Sequence, residues 1–196
     1  MSQYFENDNQ VISDPKSVTC WCGEHCLKLT TDHGVFSYGE IDDASQKLVK
    51  YCQSLKGDVL DLGCGYGFIG IYLKTKYPTI NLYQSDVNER AVFLCKENCS
   101  TNNIQSTIIV SDGFSNIYST FDYIVFNPPI HAGKTVCNSL IDTAFIHLNN
   151  GGVLFLVLRK KHGAEGYIKR FEDKEYDFSI IDKKDGIYII SITKPE

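Results

Sequence analysis

The chain lacks any apolar run approaching the roughly 18 residues that span a bilayer. Its start, Met1-Ser2-Gln3-Tyr4-Phe5-Glu6-Asn7-Asp8, also lacks the basic-then-apolar order of an export signal. Together these absences lead to the expectation of a cytoplasmic protein with no membrane partner. An excess of positive charge is missing too. With 19 Lys and Arg against 24 Asp and Glu the net charge is −5, so any nucleic-acid contact must be made by a local cluster rather than by the surface as a whole. No repeat or low-complexity segment interrupts the chain. The 8 cysteines, in a chain without an export signal, read as reduced, small apolar fillers rather than as disulfides. A length of 196 residues with 43% hydrophobic content suits one compact domain with a sizeable core, residues 1–40 forming an extension and 41–196 the core proper.

What is present is concentrated first in Val59-Leu60-Asp61-Leu62-Gly63-Cys64-Gly65-Tyr66-Gly67. A short apolar run opens there into three alternate glycines, which permit a tight, partly positive-φ turn and leave no Cβ to hold a ligand off the backbone. Phe68, Ile69, Ile71, Tyr72 and Leu73 follow at helical spacing and end at Tyr77 before Pro78. Strand, glycine turn and helix is the order of a nucleotide site. Gly65-Tyr66-Gly67-Phe68-Ile69-Gly70 also spells the dinucleotide fingerprint GxGxxG, with Asp86 about 20 residues further on. In that fingerprint the first glycine follows the strand at once and the helix N-terminus faces a pyrophosphate. Here Gly63 already holds that place, and Asp61 adds negative charge near the turn. A cationic ligand such as S-adenosylmethionine, with its sulfonium and ammonium, suits this better than a pyrophosphate.

A second segment, Phe121-Asp122-Tyr123-Ile124-Val125-Phe126, reads as a buried strand that runs straight into Asn127-Pro128-Pro129-Ile130. At this point the chain resembles a class I methyltransferase that alkylates an exocyclic amine. The resemblance implies that the Asn127 side chain and the Pro128 carbonyl accept hydrogen bonds from the target NH₂, with Pro129 and Ile130 completing the motif. Asn127 to Lys134, Gly34-Val35-Phe36-Ser37 and Arg159-Lys160-Lys161-His162-Gly163-Ala164 are all similar to the RsmC-like family, and the likeness covers most of the chain. That family methylates guanine N2 in small-subunit ribosomal RNA, which makes ribosomal RNA or the small subunit the implied partner. Ile130 departs from the Tyr or Phe that many amino methyltransferases carry here. An aliphatic side chain covers a base but forfeits roughly 1–3 kcal/mol of stacking.

Short apolar runs alternate with helical stretches along the chain, which is α/β order. Val18 to Thr30 reads as a hairpin around Gly23-Glu24, and Asp42 or Asp43 can cap a helix carrying Leu48, Val49, Cys52 and Leu55. Strands are expected near 58–62, 80–85, 106–110, 121–126 and 152–158, and helices near 67–77, 88–101, 136–148 and 164–173. A closing hairpin over Phe178 to Thr193 turns at Lys184-Asp185-Gly186. The predicted fold is a doubly wound, mostly parallel seven-stranded sheet with an antiparallel C-terminal edge, as in class I methyltransferases, preceded by a short β-hairpin.

Ligands of such sheets sit at the carboxyl ends of the strands, which assigns three acidic residues. Asp86 can accept both ribose hydroxyls or cap the helix starting near Asn88; Asp112 can accept from the adenine amino group or shape a turn; Asp61 and the Gly63 carbonyl face the ammonium. The full cofactor set expected is Phe36, Ser37, Asp61, Gly63, Cys64, Gly65, Gly67, Asp86, Val87, Asp112, Gly113 and Asn127. Phe36 covers the cofactor or the target base from above, or is a core aromatic. Lys134, Arg159 and Lys160 form the expected RNA patch, against the alternative of a solvated loop. Transfer needs alignment more than side-chain chemistry, so no general base is assigned. Cys20, Cys22, His25 and Cys26 lack the two-residue gaps of zinc sites, and alternation is expected to set the three thiols on one face and His25 on the other, so no metal is expected. Three other readings stay open: an amino methyltransferase for a protein glutamine or a small molecule, an NAD-dependent dehydrogenase using GxGxxG, and a non-catalytic binding module that keeps the fold.

Overall fold

The computed structural model describes residues 12–196, so most of the irregular opening expected before Val18 lies outside the described residues. Strands β1 (Lys16–Cys22) and β2 (His25–Thr31) form the N-terminal hairpin. Its two-residue turn pairs Cys22 with His25, Trp21 with Cys26 and Cys20 with Leu27. Directly opposed residues share a face, so Cys20, Cys22 and His25 lie together and Cys26 lies with Trp21 on the other side. This corrects the expected grouping of three thiols: a two-residue turn sets even-numbered residues of β1 against odd-numbered residues of β2, and the parity reverses. Among the described residues no group of three or more His, Cys, Asp or Glu side chains is placed to hold a metal ion.

Strands β3 (Asp58–Leu62), β4 (Asn81–Asp86), β5 (Thr107–Val110), β6 (Phe121–Phe126), β7 (Leu148–Arg159), β8 (Asp177–Lys184) and β9 (Ile187–Thr193) form one sheet in the order β5-β4-β3-β6-β7-β9-β8. The first five in that order run parallel, while β9 runs antiparallel to β7 and to β8. Helices α1 (Asp43–Tyr51), α2 (Phe68–Lys76) and α3 (Glu89–Thr101) pack on one face. Helices α4 (Lys134–Ile146) and α5 (Ala164–Asp173) cover the other. This is the predicted doubly wound sheet with its reversed edge. The hairpin docks on α3 through two side-chain amides that imitate a strand: Thr30 N–H donates to Asn98 Oδ1 at 2.7 Å while Asn98 Nδ2 donates to the Thr30 carbonyl at 2.9 Å, and Asn102 makes the same exchange with Lys28.

Two of the boundaries that differ from expectation lie at glycines. Helix α4 starts at Lys134 because Gly133, with φ 97°, turns the chain directly into it. Strand β7 starts at Leu148 and passes Gly151-Gly152 through a register shift opposite Phe121 and Tyr123. At Gly152 a Cβ would meet backbone oxygens of Asn149, Asp122 and Phe121 at 2.8–3.1 Å, so that irregularity requires glycine. Asp185 and Gly186, with φ of 55° and 74°, supply the two left-handed residues of a tight hairpin turn between β8 and β9. Among the described residues no helix is long and apolar enough to cross a membrane.

Candidate active site

The topology reverses between β3 and β6: from β3 the chain moves outward to β4 and β5, then returns to β6 on the other side. Leu62 pairs with Ser85 and with Phe126, so Gly63, Asp86 and Asn127 leave three adjacent strands side by side at their carboxyl ends. Sheets of this kind hold their ligands at that crevice. Gly63, Gly65 and Gly67 have φ of 67°, 56° and 94°, a region that residues with a Cβ enter at a cost of roughly 1–2 kcal/mol. The turn is braced by its neighbour strand: Cys64 N–H donates to the Ser85 carbonyl and Gly65 N–H to Asp86 Oδ2, each at 2.8 Å. The other oxygen of Asp86 accepts from Asn88 N–H at 2.9 Å. Burial pushes the Asp86 carboxyl above the usual carboxylate range. The cap of α3 is Asn88 itself, whose Oδ1 accepts from the N–H groups of Arg90 and Ala91.

A cleft of about 470 Å³ opens over these strand ends, a size suited to a small-molecule cofactor. Of the expected cofactor residues, Phe36, Ser37, Gly63, Cys64, Gly65, Asp86, Val87, Asp112, Gly113 and Asn127 line it. Pro128, Pro129 and Ile130 line it as well. A Cβ on Gly65 would meet nothing within 4 Å, so the turn leaves room for a ligand there. Ser85 Oγ, also in the cleft lining, is buried without a protein partner among the described residues.

Asp61 and Gly67 stand outside the cleft lining, against expectation. Along β3 the side chains alternate: Leu60 and Leu62 enter the core under α4 and α5, Val59 the core under α1 to α3, and Asp61 shares the face of Val59. Its Oδ2 accepts from Gly70 N–H at 2.8 Å and from Gln84 Nε2 at 3.3 Å, which ties α2 to the sheet behind the turn. Its Oδ1 is buried without a partner among the described residues, and burial pushes the carboxyl up to about 7. Gly67 is the N-cap residue of α2, and a Cβ there would lie 2.8 Å from Cys95 Sγ. Gly70 is needed for a similar reason, since a Cβ would overlap the Gln84 side chain; the third glycine of GxGxxG is thus a packing position.

Asn127 leaves β6 with its amide group fixed. Its Nδ2 donates to Ser45 Oγ at 2.9 Å and to Asp42 Oδ2 at 3.2 Å. Pro129, with φ −75° and ψ 76°, centres an inverse γ-turn in which the Pro128 carbonyl accepts from Ile130 N–H at 2.9 Å. A carbonyl has two lone pairs, so one remains.

Of the three expected RNA residues, Arg159 alone is in the cleft lining. Arg159 lines the cleft and is ion-paired with Asp42 at 2.7 Å and with Asp43, so it is committed within the protein. Lys160 and Lys161 line a hollow beyond Arg159. Lys160 Nζ is 3.9 Å from Glu165, with both side chains about two-thirds exposed. Lys134 lies outside the cleft lining, at the first residue of α4, its Nζ 5.9 Å from the ring of Tyr167. Two histidines in the lining, His131 and His162, face each other with ring centroids 5.8 Å apart. Burial and the nearby Lys161, His131 and Arg159 hold His162 below the usual histidine range. Neither histidine belongs to the expected site; each sits beside one of its motifs, Asn127-Pro128-Pro129-Ile130 and Arg159-Lys160-Lys161, and their approach is a product of the tertiary fold.

The sheet order and the cleft over the switch point define a class I methyltransferase, a class whose methyl donor is S-adenosylmethionine. The chain belongs to the methyltransferase small domain family, which it matches over residues 26–191. It is 41% identical over 196 residues to the uncharacterized protein YbxB of Bacillus subtilis, covering 97% of this chain and 98% of that one. It is 45% identical over 130 residues to ribosomal RNA small subunit methyltransferase C of Haemophilus ducreyi, covering 62% of this chain and only 39% of the relative. The structure of the T. thermophilus 16S rRNA N2 methyltransferase RsmC, in complex with AdoMet and guanosine, superposes with a TM-score of 0.80 at 24% identity, over 92% of this chain and 50% of that one. The RsmC-like resemblance read from the motifs is thereby borne out, while this chain spans about half or less of those two enzymes.

Proposed function

We propose that the protein transfers a methyl group from S-adenosylmethionine to an exocyclic amine, guanine N2 of small-subunit ribosomal RNA, with residues 41–196 as the catalytic core. The observation that carries this reading is the corner at Asn127: its side-chain oxygen and the Pro128 carbonyl stand beside the glycine turn, at the end of the strand next to it.

The cleft residues fit the cofactor. Asp86 would take the ribose hydroxyls on its remaining lone pairs, Asp112 the adenine amino group, and the Gly63 carbonyl the ammonium, with Phe36 covering the site. Asp61 is withdrawn from the set because it serves α2 instead. When bound, S-adenosylmethionine would supply an electrophilic methyl group, its sulfur leaving as the thioether of S-adenosylhomocysteine, and the methylated nitrogen would release its extra proton to water. The chain's own part is to hold a nitrogen in line with it: Asn127 Oδ1 and the Pro128 carbonyl would each accept one amine hydrogen, which turns the nitrogen lone pair towards the methyl group. Alignment of this kind is worth on the order of 7–11 kcal/mol. Ile130 would lie against the base. Lys134, Lys160 and Lys161 would meet phosphates at the mouth, where a local positive patch compensates for the net charge of −5.

Methyl transfer from labelled S-adenosylmethionine to small ribosomal subunits and to naked ribosomal RNA, followed by mapping of the modified base, tests the reading. Labelled guanine N2 is the expected product. Label on a protein glutamine or on no macromolecule would overturn it.

A further inference from the structure

Asp42 does more than cap a helix. One oxygen, Oδ2, accepts from Ser45 N–H at 2.8 Å, which is the N-cap bond of α1. The same oxygen accepts from Asn127 Nδ2, and Oδ1 accepts from Arg159 Nη2 at 2.7 Å. A cap needs neither of these. Arg159 is itself held by Asp43, which fixes its guanidinium, charged like any arginine, beside Asp42.

The consequence for Asn127 follows from what each group can donate. An amide side chain can present either its NH₂ or its oxygen to a neighbour, and the two orientations are nearly equal in shape. A carboxylate accepts only, and the ion pair with Arg159 holds that of Asp42 in place. Only the NH₂ of Asn127 can therefore face Asp42, and the amide oxygen must face away, into the cleft that Asn127 lines. Among the described residues that oxygen has no hydrogen-bond donor. Had Asn127 turned over, its NH₂ would meet the NH₂ of the target, and only the Pro128 carbonyl would be left to accept from it.

We propose that Asp42, anchored by Arg159 and assisted by Ser45, is a positioning residue that sets the amide orientation of Asn127 so that its oxygen faces the amine to be methylated. This rests on the reading of Asn127 as the amine acceptor. It connects the last residue of β7, next to the basic residues 160 and 161, to the reacting corner after β6 through one carboxylate.

Asp42→Asn is the informative change, because its single side-chain oxygen cannot accept from Arg159 on one side and from Ser45 N–H and Asn127 on the other, so when that oxygen turns to the donor-only guanidinium its NH₂ faces Asn127 and the orienting rule is lost. Turnover on small-subunit RNA should fall about 10- to 100-fold, the scale expected when a charge-assisted hydrogen bond orienting a reacting group is lost. The dissociation constant for S-adenosylhomocysteine should stay near wild type, and the thermal midpoint should fall by only about 2–4 °C, the scale of one weakened cap bond. Arg159→Gln should lower turnover in the same direction. The swapped pair, Asp42→Asn with Asn127→Asp, restores an NH₂ against an acceptor and leaves a carboxylate oxygen facing the cleft; it should recover about tenfold or more over Asn127→Asp alone, which a merely structural Asp42 would not do. If Asn127→Ala abolishes turnover while Asp42→Asn leaves it at wild type, or if the swapped pair is no better than its worse single change, the positioning role is wrong and the acceptor reading survives. If Asn127→Ala itself leaves turnover unchanged, the acceptor reading fails and the positioning role with it.

Discussion

The buried carboxyl of Asp61 offers a quantitative test of the core behind the glycine turn. It is fully buried, accepts two hydrogen bonds on one oxygen and, among the described residues, none on the other, and its folded-state value is pushed up to about 7, chiefly by burial. In the unfolded chain an aspartate titrates near 3.9. Between those two values the folded protein holds a proton that the unfolded chain has released, so the unfolding free energy falls as pH rises through that window and levels off above it. Each unit is worth about 1.4 kcal/mol, and the whole window about 4 kcal/mol, a large part of the ordinary stability of a domain at roughly 5–15 kcal/mol. Asp61→Asn keeps an oxygen for Gly70 and Gln84 and does not titrate. Urea unfolding of the cofactor-free wild type and variant, compared at about pH 5 and about pH 8, should show the variant gaining about 3 kcal/mol relative to wild type at the higher pH. Parallel stability curves for the two proteins would refute the burial argument.

Gly67→Ala, at φ 94° and with a Cβ 2.8 Å from Cys95 Sγ, should cost about 1–3 kcal/mol in urea unfolding; a neutral change would mean that α2 can shift freely off α3. Lys134→Glu with Lys160→Glu should weaken RNA binding and reduce the slope of log affinity against log salt by about 2, one for each phosphate no longer neutralised, with cofactor affinity unchanged. An unaltered slope would remove the patch. Asp86→Ala should weaken binding of S-adenosylhomocysteine in calorimetry, and unchanged affinity would leave Asp86 as a brace of the turn alone.

Much of the fold is legible in the residues because the signals are local. The glycines at 63, 65 and 67 predict their own positive φ, since few other residues tolerate it. Asn127 can be set at a strand end from the apolar run before it, and Asp86 from the alternation of strands and helices around the short segment Asn81 to Ser85. Expectation and structure part where a side chain's direction depends on a partner element. Asp61 lies two residues before Gly63, close in sequence to the cofactor turn, yet strand alternation sends its carboxylate behind the turn to α2. The hairpin thiols divide between faces because one turn residue more or less exchanges the faces. Arg159 reads as a free cation for phosphate, and nothing local reveals that Asp42 and Asp43, more than a hundred positions earlier, claim it. From the sequence Asp42 is only a possible helix cap, which is the one part of its role that neighbouring residues determine.

The most direct test of the central claim is a nucleoside analysis of small-subunit ribosomal RNA after incubation with S-adenosylmethionine and either wild type or Asn127→Ala. The account predicts N2-methylguanosine with the wild type and a loss of about 100-fold or more in its formation with the variant, while both bind S-adenosylhomocysteine alike. Equal methylation by the two proteins, or a methyl group on any other position, would contradict it.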